Sequence, residues 1–78
     1  MIFRINTIVN GKTYYVKYAK NSDFIWVCNR FDNATTFLDQ WDAEIELDAL
    51  DINKDYFLWE SNQERIRIKN FRVEGSFW

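Results

Sequence analysis

The sequence predicts a single α+β domain over residues 1–78: an antiparallel sheet of about five strands with one helix packed on a face, in the order β-β-β-α-β-β. Three observations carry this. Asn10-Gly11 divides two β-prone runs, and it is a strong hairpin signal because both central residues of a type I′ turn need positive φ. Downstream, Ala34, Phe37, Leu38, Trp41 and Ile45 recur at helical spacing. Four Trp, four Tyr and seven Phe among 78 residues supply the core. Each large ring can bury roughly 150–250 Å², which offsets the small share of surface that a short chain can cover.

The first strand runs from Ile2 to Val9. Phe3, Ile5, Thr7 and Val9 share one face; Ile2, Arg4, Asn6 and Ile8 share the other. The second runs from Thr13 to Ala19, with Tyr14, Val16 and Tyr18 opposing Thr13, Tyr15 and Lys17. Lys20-Asn21-Ser22-Asp23 reads as a polar turn. Phe24 to Arg30 is apolar on both faces, so a central strand covered on one side by the helix is expected. Asp32-Asn33 opens the helix, with Asp32, Asn33 or Thr36 as its cap. The apolar stripe around Trp41 should face the sheet, Asp39, Asp42 and Glu46 should face solvent, and the helix should fade between residues 44 and 50. A turn over Asp51–Asp55, a strand Tyr56–Glu60 and a turn at Ser61-Asn62 follow. The last strand is expected over Arg65–Val73. Its apolar parity switches from Ile66 and Ile68 to Phe71 and Val73, which predicts a bulge near Lys69-Asn70. Gly75-Ser76-Phe77-Trp78 is a tail whose aromatics should dock.

This order resembles that of OB-fold barrels, where a helix commonly sits between strands three and four. The glycines that let such strands bend are missing, since the only two are Gly11 and Gly75. An open sheet is therefore expected.

Composition excludes more than it identifies. There is no histidine, and Cys28 is the one cysteine. A disulfide framework and a common zinc-ligand set are both ruled out. Cys28 follows the apolar run Phe24-Ile25-Trp26-Val27 and reads as a buried small hydrophobe in a reducing compartment. It lacks a histidine to activate it as a nucleophile. No apolar stretch approaches the ~20 residues of a membrane span, and the opening Met1–Asn6 lacks a signal-peptide pattern. An intracellular, cytoplasmic protein is expected, or one of the host cytoplasm if phage-encoded. Asp51-Ile52-Asn53-Lys54-Asp55 matches half of a calcium loop, but Tyr56 stands where the loop needs Gly and Asn62 where it needs Glu. Paired carboxylates alone do not make a hydrolase, which needs a cleft between them. The expectation is therefore no enzyme, no cofactor and no metal.

The chain's most pronounced feature is acidic. Asp39, Asp42, Glu44, Glu46, Asp48, Asp51 and Asp55 stand against one cation, Lys54, although the formal net charge is only -2. A merely solvated helix face usually mixes in Lys and Arg as i,i+4 partners. A row of carboxylates spaced like phosphates can instead occupy the Lys/Arg grooves that hold nucleic acids. These seven residues are the candidate partner-binding set. The expected function is a small acidic interaction module that occludes a basic, nucleic-acid-binding surface of a partner protein. The Asn-, Ile-, Phe-, Tyr- and Lys-rich, proline-free composition is common among phage products, where such a role would be of the anti-CRISPR or anti-restriction kind. No binding to duplex DNA is expected, and the oligomeric state stays open.

The alternative is an OB-like module for single strands. Lys12, Tyr14, Tyr18 and Lys20 on strand two, with Arg65, Arg67 and Lys69 on strand five, interleave cations with stacking aromatics. Single-stranded nucleic acid is held by such faces, provided the two rows coincide in space.

Overall fold

The computed structural model describes residues 1–18, 25–53, 57–61 and 64–77, with residues 51–53 described by their backbone alone. The expected turn at Lys20–Asp23 lies outside these residues, as do Lys54–Tyr56, Asn62 and Trp78.

The elements are β1 (Ile2–Val9), β2 (Lys12–Tyr18), β3 (Ile25–Cys28), a single 3₁₀ turn (Phe31–Asn33), α1 (Gln40–Asn53), β4 (Phe57–Trp59), β5 (Arg65–Ile66) and β6 (Arg72–Ser76). Among the described residues the class is α+β with one α-helix, as expected, but the sheet has six strands rather than about five. Their spatial order is β5-β4-β3-β2-β1-β6. Every neighbouring pair is antiparallel except β3 and β4, which run parallel with Trp26 beside Leu58 and Val27 beside Trp59. The parallel pair follows from connectivity: α1 carries the chain back to the end of the sheet where β3 began, as parallel strands require.

The hairpin forms as its turn residues dictate. Asn10 and Gly11 both take positive φ, 52° and 79°, and the ladder runs from Val9–Lys12 to Asn6–Tyr15. There it stops. Beyond that point the two strands part, and residues 35–37 take up the backbone groups between them. Phe3 and Phe37 exchange both backbone hydrogen bonds at 2.8 Å, and Thr35 N–H donates to Val16 C=O. Tyr18 N–H donates to Thr35 Oγ1. This wedge corrects the expected helix. Residues 34–37 are extended because they serve the sheet, so α1 begins only at Gln40, after the expected caps, and continues to Asn53.

The last expected strand is likewise two strands. The parity switch marks a break, not a bulge. β5 pairs with β4 on one edge, and β6 pairs with β1 on the other. Residues 67–71 cross between them, turning at Asn70, whose φ is 63°. Six residues reach at most about 22 Å, whereas six strands laid flat would set the two edges about 24 Å apart. The sheet must therefore curl, but it stays open, as expected, with β5 and β6 as separate edges. The crossing is tied down by Thr7 Oγ1, which donates to Lys69 and Asn70 carbonyls at 3.0 and 3.2 Å. Its Ile68 and Phe71 join Ile5, Val16, Val27, Leu50 and Phe57 in the core. The Phe57 and Phe71 rings meet with centroids 4.8 Å apart.

Candidate functional site

The side of α1 that meets the sheet is not the expected one. At about 100° per residue, Trp41, Ile45 and Asp48 fall on one side of the helix, and Ala43 and Leu50 on the other. The second set is buried, with Leu47 partly buried beside it. Ala43 is small enough for the helix backbone to lie close over β1 and β6. Trp41 is 71% exposed, Ile45 51% and Leu38, just before the helix, 81%. The residue expected at the centre of the buried stripe thus stands at the centre of the exposed one.

Carboxylates surround this apolar ridge. Asp42 and Asp48 are exposed and Glu44 is half-buried. By helical rotation Asp42 lies to one side of Trp41 and Glu44 to the other, while Asp48 lies two turns along. The helix contains no Lys or Arg. Among the described residues, none of the three is in an ion pair. Asp39 is different: its Oδ1 accepts a 2.8 Å bond from Trp41 N–H, so it caps the helix N-terminus. Glu46 is also set apart. It is half-buried rather than solvent-facing and stands beside the Tyr18 phenol. Burial, and then the Glu46 charge, push the Tyr18 hydroxyl well above its usual range. That hydroxyl is buried, and among the described residues no hydrogen bond of good geometry reaches it. Glu46 acts on it mainly through charge. Asp51 has its backbone in α1, with its side chain outside the described residues, and Asp55 lies outside them altogether. Of the seven candidate carboxylates, the structure thus brings Asp42, Glu44 and Asp48 together around the ridge.

The two cationic rows do not coincide. Tyr14 and Tyr18 point to the core side, where Tyr14 packs edge-on against Trp59 at 5.3 Å and Tyr18 against Phe37 at 6.5 Å. Lys12 Nζ lies 4.6 Å from the Trp59 ring centroid and 5.2 Å from that of Tyr14. Lys20 lies outside the described residues. Arg65 sits opposite Leu58, on the other side of the sheet by strand alternation. Arg67 and Lys69 are exposed on the crossing.

The outer side of the sheet holds a polar cluster on the β1 face that carries Arg4 and Asn6. Arg4 is only 7% exposed. Its Nε donates to Phe31 C=O and its Nη1 to Ser76 Oγ, both at 3.1 Å, and the Phe31 ring lies 3.5 Å from the guanidinium carbon. Asn6 donates to Glu74 at 2.7 Å and accepts from Arg72 at 3.1 Å. Lys17 pairs with Glu60. The 3₁₀ turn, invisible in the hydrophobic pattern, supplies the ring that covers Arg4. Cys28 is buried beneath the same side, and burial raises its thiol above the usual range.

Among the described residues no group of His, Cys, Asp or Glu could hold a metal ion, and no helix is long and apolar enough to cross a membrane. No protein-family model, curated protein or solved structure matches the chain.

Proposed function

We propose that this chain is a protein-interaction module that offers one face of α1 to a basic, nucleic-acid-handling partner. The ridge of Leu38, Trp41 and Ile45 is the anchor. Asp42, Glu44 and Asp48 meet Lys or Arg on the partner, where those cations otherwise contact phosphate. The chain then acts by occlusion. The observation that carries this reading is the exposure of Trp41 and Ile45 on a helix that contains carboxylates and no cation, with exposed Leu38 just before it. Helix-in-groove recognition uses anchors one turn apart, as Trp41 and Ile45 are, buried Trp is enriched among binding hot spots, and complementary charge sets registry and encounter rate. Direct binding of single strands draws less support, because Tyr14 and Tyr18 are engaged with core aromatics.

The test starts with proteins captured from cells of the source organism on immobilised wild-type chain. Each purified candidate is titrated with wild type, with Trp41→Ala, and with the triple variant Asp42→Asn, Glu44→Gln, Asp48→Asn. The expected partner binds nucleic acid and loses it when the wild-type chain is added. Trp41→Ala should lose about 2 kcal/mol or more of affinity, as hot-spot residues do. The triple variant should lose about 2–4 kcal/mol, less at high salt. A partner bound equally well by all three proteins overturns the reading. So does salt-sensitive micromolar binding of labelled single-stranded DNA to the chain itself, abolished by Lys12→Glu.

A further inference from the structure

The two edges of the sheet are protected unequally. β5 is two residues long, and short edge strands resist further pairing. β6 is five residues long and contains no Pro or Lys. Phe77, which follows it, is 78% exposed.

The backbone of β6 can be oriented from its neighbour. Phe3 spends its N–H and C=O on Phe37, so its polar groups point away from β6. By alternation, Ile2, Arg4 and Asn6 point theirs toward β6, where they stand opposite Ser76, Glu74 and Arg72. The backbone groups of Val73 and Gly75 therefore face the open edge. Among the described residues nothing bonds to them there.

We infer that β6 is a self-complementary edge that pairs antiparallel with β6 of a second copy of this chain. Only registers that set outward-facing residues opposite one another can form the ladder. Three place the axis at an interior residue of the strand. An axis at Gly75 sets Gly75 against its own copy, Val73 against Phe77 of the partner subunit and Glu74 against Ser76 of the partner subunit, which brings no opposite charges together. A two-fold axis at Glu74 would put Glu74 against Glu74 of the partner subunit, and like charges directly opposite are destabilising. An axis at Val73 sets Val73 against its own copy and Gly75 against Phe71 of the partner subunit. It also places Arg72 opposite Glu74 of the partner subunit, twice by symmetry. These charged pairs occupy non-hydrogen-bonded sites, where side chains come closest. Arg72 and Glu74 already pair within one chain at 3.3 Å and are largely exposed, so association joins two ion pairs into one four-charge cluster. The contact is isologous, as two-fold dimers require.

The interface is small, so the dimer should be weak. Sedimentation equilibrium tests this on wild type, Arg72→Glu, Glu74→Arg and an equimolar mixture of the two variants, with thermal melts confirming that each is folded. Each variant alone sets like charges opposite one another and should associate about tenfold more weakly or worse. The mixture should recover association, because an acidic edge then meets a basic one. Should either single variant fail to fold, the exchange variant Arg72→Glu with Glu74→Arg retains both charge signs and should associate like wild type. Wild type that stays monomeric at about 1 mM overturns the inference. Variants that associate as well as wild type, a mixture no tighter than its components, or an exchange variant that stays monomeric do the same.

Discussion

Replacing Trp41 with alanine separates an anchor held out for a partner from a ring that holds the fold. A buried large aromatic costs about 3–5 kcal/mol when truncated to alanine. With 71% of its surface exposed, Trp41 has less than a third of its area to lose. A ring of roughly 150–250 Å² then covers about 45–75 Å² of apolar surface. At about 25 cal/mol per Å², this is worth about 1–2 kcal/mol. Alanine returns about 0.5 kcal/mol through its higher helix propensity. The expected net loss is about 1 kcal/mol. Urea unfolding followed by far-UV circular dichroism measures it, with Phe57→Ala, truncating a core ring, as the internal comparison at about 3–5 kcal/mol. A loss above about 3 kcal/mol for Trp41→Ala would show that the ring is packed, and the ridge would not exist as a free surface.

Two further outcomes follow from side chains around the helix. The folded chain holds the Tyr18 proton more tightly than the unfolded chain does. Its contribution is intact below the ordinary tyrosine value near 10 and is lost as pH rises beyond it, by up to about 1.4 kcal/mol per unit. Tyr18→Phe should flatten the alkaline decline and leave stability at pH 7 equal or higher, since it removes a buried hydroxyl that no well-formed hydrogen bond reaches among the described residues; an unchanged decline would refute this. Asp39→Ala should cost about 1 kcal/mol through loss of the helix cap, and Asp39→Asn much less; equal melts for both variants would mean that the cap contributes nothing.

The parts of the fold that are legible in the sequence are those decided locally. Asn10-Gly11 forces its turn whatever surrounds it, and the alternation of Tyr14, Val16 and Tyr18 fixes which side of β2 faces the core. The helix was ambiguous for a physical reason. Trp41 and Ile45 lie one turn apart, and so do Ala43, Leu47 and Leu50, on different sides. Spacing alone cannot say which set docks. The choice falls to tertiary fit, where Ala43 permits close approach and residues 34–37 are already committed to β1 and β2. The break in the last strand was visible as a parity switch at Lys69-Asn70, but its destination depends on the distant β1. The acidic residues of the candidate site could be named in advance; that Asp39 caps the helix and Glu46 faces Tyr18 could not, because both depend on where α1 starts and how it is rotated.

The joining of β6 to β1 has a consequence for how the molecule is made. The β1–β2 and β2–β3 ladders connect neighbours in the chain and can form as a nascent hairpin and meander. The remaining cover over Ile5 and Val27 arrives with Ile68 and Phe71, carried by the same segment that ends in β6. Contacts so far apart in sequence slow folding, because the intervening loop must close before they reward it. During synthesis the half-built sheet waits with its apolar side open until residues 67–76 leave the ribosome. Its exposure to chaperones and to aggregation is set by that wait.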